Sequence, residues 1–218
     1  MKLSDATVSV LKEFSSINPS IAIQAGNVIK TVSTSKTIVA KTSVEDNFPN
    51  NLALANLSKF LGALSIMDEP DCDFKNDRVI IKDKNKNVTT IFYAAEDTIV
   101  VPPKKDLVLP SQDSAFRLSS EAITKIHRAA SILQVPEIVI MGEDGRVTVS
   151  AEDVAKRGGS DTFKIDLGET DSEFRVVFKA DNLKVQPLDY AVTVSSKGLA
   201  FFDNDARQYW IATEIRKA

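Results

Sequence analysis

The stretch Val100-Val101-Pro102-Pro103-Lys104-Lys105-Asp106-Leu107-Val108-Leu109-Pro110 puts three prolines into eleven residues near the middle of a 218-residue chain. Proline fixes φ and lacks the backbone N–H, so this segment suits neither a helix interior nor a central strand and is expected to run extended over the surface. The same order of patterns recurs on both sides of it: an early helix, a hairpin, a second helix after a strand, then short strands. Asn18-Pro19 before Ile21-Ala22-Ile23 matches Val135-Pro136 before Ile138-Val139-Ile140, and Asn56-Leu57 matches Asn182-Leu183. The stretches Phe74–Ala95 and Thr193–Glu214 keep a near-constant offset, down to the aromatic pairs Phe92-Tyr93 and Tyr209-Trp210. This is an internal duplication. It predicts two α+β domains over 1–101 and 111–218, joined by a stiff connector over 102–110.

Ser4 is a natural N-cap, and Asp5–Ile17 reads as a helix with Val10, Leu11, Phe14 and Ile17 inward and Lys12 opposite. A second helix over Asn56–Met67 turns Leu57, Phe60, Leu61 and Leu64 inward and Lys59 outward. Ser119 or Ser120 starts a third, to about Leu133, with Ala122, Ile123, Ile126, Ala129, Ala130 and Leu133 inward. Arg128 points the other way, with Lys125 and His127 on the flanks. A short fourth helix is expected over Ala180–Val185, stopped by Gln186-Pro187. Ile21–Ile23 and Val28-Ile29 read as a hairpin around Gly26-Asn27, and Glu137–Met141 and Arg146–Ser150 as another around Glu143-Asp144-Gly145.

Composition excludes several classes. At 43% hydrophobic and 26% charged, the chain is an ordinary globular one. No apolar run approaches the ~18 residues of a membrane helix, and Met1-Lys2-Leu3-Ser4-Asp5 lacks the apolar core of a signal peptide. The single cysteine, Cys72, leaves no intrachain disulfide, as suits a reducing cytoplasm, and reads as a small core residue in a strand. Catalytic groups are few. The one histidine, His127, is expected to be solvated or to face phosphate, and no nucleophile–base pair or phosphate-binding G-x-x-x-x-G-K-[ST] loop occurs. The acidic runs Asp68-Glu69-Pro70-Asp71-Cys72-Asp73 and Asp203-Asn204-Asp205 lack the ligand order of a calcium loop and read as solvated loops. No catalytic residue, metal site or cofactor is therefore expected.

Charge is distributed unevenly. Lys2–Ser16, Leu57–Met67, Ser120–Leu133 and Lys179–Val185 together carry +3, whereas the whole chain carries −3, leaving −6 for the rest. Lys12, Lys59 and Arg128 all lie opposite their apolar stripes. Helices sharing one face would make that face basic and the remainder acidic, an arrangement that attracts phosphates without reading bases.

Met1-Lys2-Leu3-Ser4 entering a helix, Asn56-Leu57-Ser58-Lys59-Phe60-Leu61-Gly62-Ala63-Leu64-Ser65, Ile91-Phe92-Tyr93-Ala94-Ala95, Phe178-Lys179-Ala180-Asp181-Asn182-Leu183-Lys184-Val185-Gln186-Pro187 and the proline-rich connector resemble the sliding clamps of T-even-type bacteriophages. That family is similar in fold to the proliferating cell nuclear antigen. The resemblance implies an α+β fold of two tandem clamp domains, with helices lining a ring and antiparallel sheets outside. It further implies a homotrimer that encircles duplex DNA, tethers a DNA polymerase, and is placed by an ATP-driven clamp loader in the cytoplasm of an infected bacterial host. Phage late-transcription factors join the implied partners, and a membrane does not. Lys12, Lys59, Lys125, Arg128 and Lys184 would face DNA. Val100, Val101, Leu107, Val108 and Leu109 would line a partner groove, although simple packing of the connector accounts for them equally well. Thr162, Phe163, Lys164, Ile165 and Leu167 would lie at a subunit edge. With four helices per subunit packed roughly 8–10 Å apart, three subunits enclose a hole of roughly 35 Å, and two enclose only about 23 Å. A duplex on the order of 20 Å wide fits the larger ring with room for water. The closing Arg216-Lys217-Ala218, with no acidic or aromatic tail, and the connector sequence both depart from the family, so partner specificity is not carried over. Two other readings stay open at this point: a non-ring monomeric DNA-binding processivity subunit, and an enzyme using the acidic loops to hold a metal.

Overall fold

A computed structural model describes residues 1–156 and 158–214; Arg157 and the closing Arg216-Lys217-Ala218 lie outside the described residues. The chain divides into two compact units, one over Met1–Lys105 and one beginning at Asp106.

In the first unit, α1 (Asp5–Ile17) opens at Ser4, whose Oγ accepts the Thr7 amide at 3.2 Å. It ends where Asn18 caps the Phe14 carbonyl and Pro19 blocks continuation. Asn18 is itself buried, with Nδ2 donating to the Val32 carbonyl at 2.8 Å and Oδ1 accepting the Ser20 amide at 2.9 Å. β1 (Ile21–Ile23), β2 (Gly26–Val32), β3 (Ile38–Phe48) and β4 (Leu52–Leu54) follow. The expected hairpin of Ile21–Ile23 with Val28-Ile29 does not form: β1 pairs with β4, and β2 pairs with β3. Gly26 and Asn27 fall inside β2, where Gly26 faces Phe48 and the register slips before Val28, so they are not the central residues of a hairpin turn. The Ala25 amide is taken instead by Asn51 Oδ1 at 2.8 Å, and Gly26 turns the chain at φ +120°. α2 (Leu57–Ser65) is capped by Asn56, whose Oδ1 accepts the Lys59 amide at 2.8 Å. β5 (Asp71–Phe74), β6 (Arg78–Lys82) and β7 (Val88–Phe92) make an antiparallel sheet in that order. Leu11, Phe14, Ile29, Leu57, Phe60, Val79 and Ile81 are among the buried residues of this unit. Phe48 meets Phe74 edge-on at 5.5 Å.

In the second unit, β8 (Ser114–Leu118) leads into α3 (Ser120–Leu133), capped by Ser119 and closed by Gln134 in the left-handed region at φ 52°. β9 (Glu137–Glu143), β10 (Arg146–Glu152), β11 (Phe163–Glu169) and β12 (Phe174–Lys179) form one antiparallel sheet in the order β11-β10-β9-β12. Asp144 and Gly145, both at positive φ, give the two-residue turn that joins β9 to β10. α3 packs against this sheet, burying Ala122, Ile123, Ile126 and Ala130. Ala129 and Leu133, expected inside, are half-buried. β13 (Tyr190–Ser195) pairs with β8 and with β14 (Leu199–Asn204), and β14 pairs with β15 (Arg207–Ala212). Tyr190 lies edge-on to Phe202 at 6.1 Å and to Tyr209 at 5.9 Å, and Phe178 meets Phe202 at 6.0 Å, centring the core.

The fourth helix shrinks to a single 3-10 turn, Ala180–Asn182. Pro187 follows too soon for a ladder of i→i−4 bonds, and the buried side chains of Leu183 and Val185 hold the chain down instead. After the leading strand β8 of the second unit, each unit runs helix, four strands, helix or turn, three strands. The fold is α+β in two tandem copies.

Candidate nucleic-acid interface

The first unit presents its cations from two neighbouring helices. On α1, Val10, Leu11, Phe14 and Ile17 point inward, so the 100° step per residue leaves Lys12 exposed on the opposite side. On α2, Leu57, Phe60, Ala63 and Leu64 are buried, while Ser58, Lys59, Gly62 and Ser65 are exposed. Leu61, expected inside, is half-buried and lines a cleft of about 290 Å³ between the helices, with Val8, Lys12 and Leu64. Lys12 and Lys59 therefore belong to one packed helix pair.

The second unit reaches a similar result by another route. Arg128 is exposed on α3, opposite the buried stripe. Lys125 is exposed too, but Nζ lies 2.5 Å from Glu121 Oε1 one turn earlier, and that contact holds the Glu121 carboxyl below its ordinary pKa. Arg128 is then the stronger of the two cations as seen from outside. Lys184 is exposed between the buried Leu183 and Val185. His127 is not the solvated group expected. It is half-buried, and burial lowers its pKa, with the Leu183 carbonyl offsetting part of the effect through a hydrogen bond. The ring is therefore neutral near pH 7 and ties α3 to the segment that carries Lys184.

Of the connector residues, Val101 lines a cavity of about 320 Å³ with Ala22, Ile23, Val28 and Pro102. Val100 is half-buried, and its carbonyl accepts Asn18 Nδ2 at 3.4 Å. Leu107, Val108 and Leu109 belong to the second unit, where Val108 is 85% exposed.

β11 is an outer strand of its sheet, with Phe163 and Lys164 exposed, Ile165 and Leu167 half-buried, and Thr162 exposed just before it. Sequence reading missed a counterpart in the first unit. β7 is also an outer strand and exposes Val88 and Phe92, with the Arg78 guanidinium 5.6 Å from the centre of the Phe92 ring. The signal was present in Val88-Thr89-Thr90-Ile91-Phe92: strand alternation puts Ile91 on one face and the apolar Val88 and Phe92 on the other. Exposed Ile66 and Ile132, near the C-terminal ends of α2 and α3, were missed as well.

The acidic stretch does not converge on a common point. Asp68 pairs with Lys84 at 2.8 Å, Glu69 with Lys2 at 2.8 Å, Asp73 with Lys75 at 2.8 Å, and Asp71 with the amino terminus. The Cys72 thiol, buried, is pushed up to about 11 and is unreactive as a nucleophile at neutral pH.

Two tandem α+β units of this kind are the fold of the DNA clamps. The fold is shared with proliferating cellular nuclear antigen from Entamoeba histolytica at a TM-score of 0.69 and 16% identity, over 96% of this chain and 95% of that one. It is shared equally with the A. fulgidus antigen whose structure holds the C-terminal region of FEN-1, at a TM-score of 0.69 and 10% identity, over 97% of this chain and 96% of that one. In sequence, the family described as DNA polymerase processivity factor matches residues 2–101, and the gp45 sliding clamp C-terminal family matches residues 115–215. The sliding clamp of Vibrio phage KVP40 is 32% identical over 98% of this chain and 99% of its own length. The chain belongs to the T4-like phage sliding clamp family of DNA polymerase processivity factors.

Proposed function

We propose that three copies of this chain close into a ring around duplex DNA and hold a replicative DNA polymerase on its template, with no reaction catalysed and no cofactor bound. The observation that carries the reading is the outward placement of Lys12, Lys59, Lys125 and Arg128 on helices and of Lys184 just after the 3-10 turn, within a chain matched over 98% of its length by a phage sliding clamp. Their attraction is long-range and weak, since each is exposed and Lys125 is already paired with Glu121. Weak attraction suits sliding, because firm phosphate contacts would act as a brake. The ring would be lined by three helices and one 3-10 turn per subunit.

Ring closure uses β11, through Thr162, Phe163, Lys164, Ile165 and Leu167, against an apolar outer strand of the next copy. β7, with Val88 and Phe92, has that chemistry. An ATP-driven loader opens and places the ring in the host cytoplasm, and phage late-transcription factors are further partners. Partner tails dock along the connector, which we assign to 102–110 between domains 1–101 and 111–218. Val101 offers the cavity in the first unit, Val100 precedes it and Leu107, Val108 and Leu109 continue the connector as apolar contacts for a tail, and the FEN-1 segment on the A. fulgidus antigen is a precedent for tail docking.

Light scattering over a concentration series tests the reading. The expected mass is three times 23.8 kDa, falling on dilution. A monomer at every concentration would overturn the ring and leave a DNA-binding processivity subunit that acts alone.

A further inference from the structure

We infer that Asp46 and Asp189 are charge-compensating positioning residues for α1 and α3, keeping the basic helix face from gripping the phosphates of a passing duplex. The inference rests on the clamp reading above.

A helix N-terminus carries a partial positive charge and free amides, the arrangement that binds phosphate. In α1 that end is already occupied by an anion from a distant strand. Ser4 donates both its amide and its hydroxyl to Asp46 Oδ2, each at 2.8 Å, across 42 residues of sequence. Burial pushes the Asp46 carboxyl up, but the hydrogen bonds from Thr7 and Ser4 outweigh it and hold the pKa below the ordinary value, so the group is ionised at neutral pH. In α3 the Ser120 amide donates to Asp189 Oδ1 at 2.7 Å, across 69 residues. Asp189 is fixed in turn by Asn204 Nδ2, which donates to its carbonyl at 2.7 Å.

The two aspartates are not equivalents in the repeat. Asp46 lies in β3, whose counterpart in the second unit is β11, whereas Asp189 immediately precedes β13. The same device has been reached from two non-equivalent positions, which simple inheritance through the duplication does not produce. α2 supplies the contrast: its N-cap is the neutral Asn56, its first turn holds no acid, and it carries Lys59 there. Two helix ends are thus closed by internal carboxylates, and one is left cationic.

The test is duplex binding by the full chain, read by anisotropy of a short labelled DNA at low and physiological salt. Asp46→Asn/Asp189→Asn keeps an acceptor for each serine amide and removes only the charge. Asp144→Asn/Asp205→Asn, at exposed turn positions, is the charge-matched control. The N-terminal pair is expected to bind about threefold or more tighter than the control, with a steeper salt dependence, from the usual size of a charge at a helix end. Equal binding by the two double variants would overturn the inference. Asp189→Asn alone, at an exposed site, repeats the comparison should the Asp46 change disturb folding, and is held to the same criterion against Asp205→Asn. Lys59→Glu/Arg128→Glu, measured alongside, separates the two levels. If it leaves duplex binding unchanged, the assignment of the basic face fails; if it weakens binding while the aspartate variants match their controls, only this inference fails.

Discussion

The two units begin from one pattern and part at two places, and in both a single local feature decides. In the second unit Asp144-Gly145 closes β9 onto β10, and four strands share one sheet. In the first unit Gly26-Asn27 does not close a hairpin, so β1 pairs with β4 while β2 pairs with β3. After Asn56 the next proline is Pro70, and α2 has room for nine residues. After Asn182 Pro187 intervenes, and the helix is reduced to one 3-10 turn. Despite this, both units present cations on the outside of packed helical segments. The duplication conserves a face rather than a backbone.

Each unit carries its own probe, which makes the comparison measurable: Cys72 is the only cysteine and lies in β5, and Trp210 is the only tryptophan and lies in β15. The largest effects are expected from the cores. Phe14 and Phe178 are fully buried, and truncation of either to alanine should cost about 3–5 kcal/mol. Denaturant titration should show the Phe178→Ala loss in Trp210 fluorescence and the Phe14→Ala loss in the onset of Cys72 labelling. A loss below about 1 kcal/mol at either site would mean that the surrounding core refills the space rather than keeping a cavity.

What was legible in the sequence follows the same division between local and distant causes. α1 was readable to its ends because cap, periodicity and Asn18-Pro19 all lie within the segment itself. The partner of β1 was not, since alternation says which face a strand buries and nothing about which strand lies beside it. The exposure of Lys12, Lys59 and Arg128 followed from helical period. The burial of His127 did not, because its cover is the Leu183 segment, far away in sequence. Asp46 and Asp189 were invisible for that reason too: they reach their serines across 42 and 69 residues of sequence.

The hairpin difference is sharpened by a smaller change. Gly145 sits at φ +75°, where a Cβ meets no neighbouring atom but the backbone itself disfavours a side chain. Gly145→Ala should therefore cost roughly 1–2 kcal/mol, read by Trp210. A neutral result would show that β9 and β10 stay paired without help from their turn, and the contrast with Gly26-Asn27 would need another cause.

The smallest effect should have the opposite sign. Gly62 lies in the interior of α2, on the exposed side with Ser58 and Lys59, at ordinary helical φ, and an added Cβ meets nothing within 4 Å. Alanine there removes only backbone freedom from the unfolded chain, so Gly62→Ala should stabilise the first unit by about 0.5–1 kcal/mol, seen as later labelling of Cys72. The same substitution thus weakens one unit and strengthens the other. Duplex binding by this variant then asks what the bare surface of Gly62 is for. If stability rises and binding is unchanged, the α2 face is separated from DNA by water, as loose encirclement requires. If stability rises while binding falls, a methyl group has blocked a close approach, and Lys59 sits in a tighter contact than sliding by long-range attraction allows.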